Sequence, residues 1–140
     1  MIPKYPGAIV IAVPPLEHLA FIHEGPDGTT RAWDITRGNA IAADGRPTET
    51  FSLTDHGVTL DFIKQNYVEI DLTYALITDL TRPLLVIPLG EEILILDGWH
   101  RLARAAIEGM KTLPMRLLTE EEADSIQWLE LPAGHGIEWK

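Results

Sequence analysis

Over the first 57 residues the apolar positions come in short runs, broken by Pro, Gly and Asp, with no helical periodicity. That pattern predicts short strands joined by turns. The candidate strands are Ala8 to Val13, Leu19 to His23, Thr30 to Ile35 and Thr48 to Leu53. Gly25-Pro26-Asp27-Gly28 and Asp44-Gly45-Arg46-Pro47 are the clearest turns, because Gly tolerates positive φ and Pro presets its own. From Val58 to Tyr67 the apolar residues Val58, Phe62 and Ile63, set among Asp61, Lys64 and Gln65, fit one short helix.

The stretch from Thr81 to Leu118 is more regular. Pro83 to Pro88 and Ile93 to Leu96 are apolar runs separated by Leu89-Gly90-Glu91-Glu92, which predicts a hairpin ending at Asp97-Gly98. A helix follows, with Trp99, Leu102, Ala103, Ala106, Ile107 and Met110 on one face and His100, Arg101, Arg104 and Glu108 on the other. Gly109 closes it, and Pro114 to Leu118 supplies a strand, so Ile93 to Leu118 is expected to be a β-α-β unit with parallel strands and a right-handed crossover. Thr119 with Glu122 forms a capping box for a last helix, expected to run to about Glu130 before Pro132 and Gly134.

Composition narrows the function classes. At 140 residues and 46% hydrophobic, the chain is expected to form a single compact domain, residues 1–63 a β-rich extension and 64–140 its core. There is no cysteine, which removes disulfides, thiolate zinc sites and cysteine nucleophiles. The apolar run near the amino terminus is cut by Pro14-Pro15 and is too short for a signal-peptide core or a membrane span, so a cytoplasmic protein with no membrane partner is expected. Eleven basic against 21 acidic side chains give a formal charge of −10, which disfavours binding a polyanionic nucleic acid. Within this acidic chain Arg101, Arg104, Lys111 and Arg116 stand against a lone Glu108, a basic island that is either a solvated face or part of a site.

The position of that island points to an anion. A helix beginning at Gly98 directs backbone N–H groups and the positive end of its dipole out of residues 98–101, and Gly98 has no Cβ to obstruct a ligand. His100 and Arg101 add donors, and a guanidinium can hold a phosphoryl group with two parallel bonds. Trp99 is read either as a core anchor on the apolar face or as a platform for a base. Glu69 and Asp71, two apart on an expected strand, are either surface carboxylates or a pair able to hold Mg²⁺ or act as a base. His18 and His23 are wrongly spaced for a metal pair, and His56 and His135 read as solvent-facing.

Leu96-Asp97-Gly98-Trp99-His100-Arg101-Leu102-Ala103-Arg104, then Gly109 and Leu113-Pro114, resembles the signature of the ParB/sulfiredoxin-like superfamily, whose members carry a D-G-x-H-R or related turn. Val68 to Leu72 resembles that family's opening strand and Arg82-Pro83-Leu84-Leu85-Val86 its R-P-hydrophobic strand, so the likeness covers about residues 68–124. The resemblance implies an α+β fold, a mixed sheet with a β-α-β unit, and a turn that binds nucleotide phosphates. Carried over, it implies that Gly98, Trp99, His100, Arg101 and Arg104 contact ATP or another nucleotide. It further implies that Asp97 holds Mg²⁺ and that Asp97 or Asp71 takes a catalytic role in phosphoryl transfer or hydrolysis. Three departures matter. Trp99 stands where sulfiredoxin chemistry needs cysteine, Asp79 is the sole acid between Thr73 and Thr81 where the related serine kinases place a catalytic glutamate, and the roughly twenty residues after the last motif strand are not expected to supply the helix-turn-helix of ParB. The competing expectation is a non-enzymatic interaction or regulatory module, ParB-like, toxin-antitoxin or phage-related, whose acidic surface engages a basic protein partner.

Overall fold

A computed structural model describes residues 7–13, 18–25, 27–67 and 70–131. In chain order the elements are β1 (Gly7–Val13), β2 (His18–Glu24), β3 (Thr30–Asp34), α1 (Ile35–Ala42), β4 (Glu49–Ser52), α2 (Leu60–Asn66) and α3 (Leu72–Ala75). There follow β5 (Leu84–Leu89), β6 (Glu92–Asp97), α4 (Trp99–Ile107), β7 (Thr112–Leu117), α5 (Glu120–Ile126) and β8 (Gln127–Leu131). The class is α+β, with two four-stranded sheets.

The first sheet has the order β1-β2-β3-β8 and is antiparallel throughout, with Phe21 opposite Trp33 and Arg31 opposite Glu130. The second has the order β4-β7-β5-β6, in which only β5 and β7 run parallel. Each sheet borrows a strand from elsewhere in the chain: β4 joins the second, and β8 returns to complete the first. Helices α1 and α5 pack on each other between the sheets, α1 against β2 and β5, α5 against β3 and β5. One apolar cluster therefore runs from Phe21 and Trp33 through Ile35 and Ile126 to Leu85, Ile95 and Leu102.

Local chemistry explains most boundaries. Asp34 ends β3 and starts α1 by accepting the Arg37 N–H at 2.9 Å; its other oxygen lies 2.7 Å from His18 Nδ1. Gly38 sits mid-helix because a Cβ there would come 2.9 Å from Leu85 Cδ2 and 3.1 Å from Ile126 Cδ1, so the close approach of α1 to β5 and α5 needs glycine. The capping box at Thr119 forms as the sequence implies, and Arg46 extends it by gripping both Glu122 oxygens, at 2.8 and 2.6 Å. Among the described residues no helix is long and apolar enough to cross a membrane.

Four expectations need correction. Residues 35–42 are helical, although no helix is expected before residue 57; Gly38 interrupts the pattern, and no turn separates β3 from α1. The last helix stops at Ile126 rather than near Glu130, because Leu129 and Leu131 alternate with Trp128 and Glu130 and pair along β3 as β8. The strands flanking α4 are not parallel: β7 inserts between β4 and β5 and runs parallel to β5, which makes it antiparallel to β6. The hairpin β5-β6 reverses the chain before α4 begins, so the parallel crossover starts at β5. Lastly, Ile70 and Asp71 are not in a strand and Leu72 opens α3, while Val68 and Glu69 lie outside the described residues.

Candidate anion-binding cleft at the start of helix α4

The β6-to-α4 turn is built around Gly98, at φ +108°, a left-handed conformation in which side chains are strained. Its missing Cβ serves packing: a Cβ would lie 2.4 Å from Leu84 Cδ2 and 2.8 Å from Arg101 Nη2. The expectation that glycine here clears space for a ligand is thus corrected, since the space is taken by Leu84 and by the Arg101 side chain folded back over the turn. Among the described residues no side chain caps α4, and Leu102 donates to the Gly98 carbonyl at 2.8 Å. The first turn of α4 therefore keeps its positive dipole end uncompensated by a cap.

Beside this turn is a cleft of about 290 Å³, lined by Asp97, Gly98, His100 and Arg101 from the turn and by Tyr74, Thr78 and Arg82 from the segment between α3 and β5. Trp99, Leu96, Tyr67 and Val10 complete the lining. Arg101 is only 6% exposed. Its Nη2 donates to the Pro83 carbonyl at 3.2 Å and stands 3.7 Å from Asp97 Oδ2, beyond hydrogen-bond reach, while Nε is buried with no acceptor. Burial pushes this guanidinium below its ordinary range; Asp97 opposes the shift and Arg82 adds to it. Arg82 is exposed, and no hydrogen bond or ion pair of its guanidinium occurs among the described residues.

The other residues singled out from the sequence are placed as follows. Asp97 accepts from Asn39 Nδ2 at 3.0 Å, so α1 steadies the carboxylate at the cleft floor. His100 Nε2 accepts the Asp71 backbone N–H at 3.1 Å, which puts the neutral ring's proton on Nδ1, and the ring meets Tyr74 edge-on at 4.9 Å. Asp71 itself caps α3, accepting from Thr73 and Tyr74 N–H at 3.0 and 3.1 Å, and does not line the cleft. Trp99 is 2% exposed, stacked on Tyr67 at 5.3 Å, with Nε1 donating to the Ile95 carbonyl at 3.1 Å; the indole is a core anchor rather than an open platform. Arg104 lies outside the cleft lining and spends its guanidinium on Glu108, at 2.5 Å, and on the Thr78 carbonyl.

The basic island is consequently split. Arg101 is at the cleft, Arg104 ties α4 to the segment after α3, and Lys111 lines a second groove, of about 390 Å³, at the other end of α4 with Leu53, Val58 and Met110. Tyr74, Thr78 and Arg82 are the lining residues that the sequence does not mark. Arg82-Pro83 is noticeable only as the start of a strand, and Tyr74 and Thr78 arrive because α3 packs on α4.

A divalent ion finds one carboxylate in the cleft, Asp97, already hydrogen-bonded by Asn39 and close to a cation. No group of three His, Asp or Glu suited to a metal occurs among the described residues. A single carboxylate fits an ion carried in by phosphate oxygens, as Mg²⁺ often is, better than one the protein holds itself.

No protein-family model matches the chain, and neither a curated protein nor a solved structure is significantly similar to it. The resemblance to the ParB/sulfiredoxin-like superfamily therefore rests on the motif residues 96–114 and their neighbours alone.

Proposed function

We propose that the cleft at the start of α4 binds the anionic group of a small phosphorylated molecule, with a nucleotide as the leading case, and that the chain is a divergent ParB/sulfiredoxin-like protein acting in the cytoplasm. The observation that carries this reading is Arg101: a guanidinium nearly buried, with Nε unpartnered, at a helix start that no side chain caps and in the wall of an open cleft. Burying a cation whose counter-ion, Asp97, stands 3.7 Å away without a hydrogen bond is costly, and an incoming anion offsets that cost. The helix dipole acts in the same direction. Tyr74, half exposed at the cleft wall, offers an aromatic surface to the organic part of such a ligand.

Within this reading Arg101 holds the anion, Gly98 allows Arg101 to fold over the turn, and Asp97 braced by Asn39 sets the turn and is the one residue positioned to meet a Mg²⁺ that enters with the ligand. The geometry favours binding over turnover. Asp71 is occupied as a cap, His100 Nε2 is already an acceptor for Asp71 N–H, and Asp97 accepts from Asn39, so these three candidate acids or bases each carry a structural bond. A binding or regulatory module is accordingly the second reading, sharing the same site.

Calorimetric titration with ATP, ADP and CTP in the presence of Mg²⁺, followed by an assay for released phosphate, separates these readings. Saturable heat that an Arg101→Ala variant loses supports binding; phosphate release supports an enzyme, and heat without release supports the module. No heat with any of the three, in both wild type and variant, ends the proposal.

A further inference from the structure

Resting on the anion-binding reading, we infer that the cleft is a two-guanidinium clamp for a dianionic terminal phosphate, a phosphate monoester rather than a diester, and that Arg82 is the residue that sets this preference. Two observations on Arg82 carry the step. It lines the same cleft as Arg101, and its guanidinium is without a hydrogen bond or ion pair among the described residues, whereas Arg101 has the Pro83 carbonyl as a partner. Its backbone is fixed by a tight turn: Arg82 N–H donates to the Asp79 carbonyl at 3.2 Å, and the Asp79 carboxylate accepts from Thr81 N and Oγ1 at 2.9 and 2.6 Å. The cation is thus carried on an ordered segment, next to Pro83, whose carbonyl receives Arg101 Nη2.

The charge balance of the cleft follows. Its lining carries two guanidinium groups and one carboxylate, Asp97, which stands 3.7 Å from Arg101 without a hydrogen bond to it. Two like charges lining one cleft repel, and a monoanion bound there satisfies only one of them. A phosphate monoester near neutral pH carries about 1.5 to 2 negative charges and three terminal oxygens, so it can engage Arg101 from within and Arg82 from the rim together. A diester has lost one of those charges and one of those oxygens. Arg101, being buried and braced, supplies the obligatory contact; Arg82, being exposed and otherwise uncommitted, supplies the discrimination between the two ester classes.

The test is calorimetry with adenosine monophosphate, its O-methyl ester and adenosine, against wild type, Arg82→Gln and Arg82→Lys. Arg82 is exposed, so both variants fold; far-UV circular dichroism and melting temperature verify this. The expected result is that wild type prefers the monophosphate over its methyl ester by about tenfold, equivalent to about 1.4 kcal/mol. Arg82→Gln should bring the two within about twofold while binding of the methyl ester is retained, and Arg82→Lys should keep most of the preference. If wild type binds both esters equally, or if Arg82→Gln keeps the preference, the clamp is overturned and the anion-binding reading stands. If neither ester binds wild type better than adenosine does, both fall.

Discussion

Replacing Gly98 by alanine should be among the most damaging single-methyl changes in this protein. Its backbone lies at φ +108°, so a Cβ incurs the left-handed penalty of about 1–3 kcal/mol. It would also stand 2.4 Å from Leu84 Cδ2, inside any real carbon-carbon contact, where Leu84 is only 1% exposed and has nowhere to retreat. Overpacking of that kind costs about 1–3 kcal/mol more. The sum, about 2–6 kcal/mol, is a large share of the roughly 5–15 kcal/mol that stabilises a typical domain. At roughly 3 °C per kcal/mol for a chain this size, the melting temperature should fall by about 6–18 °C. Gly45 provides the control: it is also left-handed, at φ +90°, but a Cβ there meets nothing within 4 Å, so Gly45→Ala incurs the backbone penalty alone. Thermal and urea melts of the two variants isolate the steric part. Placing Gly98→Ala in a Leu84→Ala background should recover much of that part as coupling energy. If Gly98→Ala is no worse than Gly45→Ala, the packing account of the β6-α4 turn is wrong.

Two further outcomes follow, one from an ion-pair cluster outside the cleft and one from the buried indole in its lining. The hydrogen bonds from Arg46 hold the Glu122 and Asp44 carboxyls at about 2, below their ordinary 4.5 and 3.8, so their contribution is present above those ordinary values and is lost as the pH falls toward 2. The urea midpoint of wild type should drop over that window and that of Arg46→Gln should drop less; parallel curves would contradict the assignment. Trp99→Phe should lose the bond to the Ile95 carbonyl and some packing, about 2 kcal/mol by urea melt, with ligand affinity unchanged within about twofold; a specific loss of affinity would mean the indole touches the ligand.

The parts legible in the sequence are those whose signals are local. The hairpin β5-β6 and the span of helix α4 follow from apolar runs and the bounding glycines, and the Thr119 capping box marks the start of α5 to the residue; the expected face of α4 is only partly right, since Arg101 is buried and Ile107 and Met110 are exposed. What is not local is not legible there. Helix α1 is disguised by Gly38, a residue chosen for its closeness to Leu85 rather than for helix propensity. The insertion of β7 between β4 and β5 depends on which sheet edges remain available once the hairpin has formed, and no window of sequence encodes that. At the cleft, Asp97 through Arg101 could be found because they are consecutive. Arg82, Tyr74, Thr78 and the Asn39 that braces Asp97 come from three other segments, and only packing brings them there.

The central claim is that Arg101 is kept as a nearly buried cation for the sake of an anion, not for stability. A volume-matched apolar replacement tests it, because removing a desolvated, poorly paired charge is commonly neutral or stabilising to a fold. Titrating adenosine monophosphate into wild type and Arg101→Met, each first melted without ligand, should show the variant melting at or above the wild-type temperature while its affinity falls by at least about tenfold. An Arg101→Met protein that binds the monophosphate as wild type does would contradict the account.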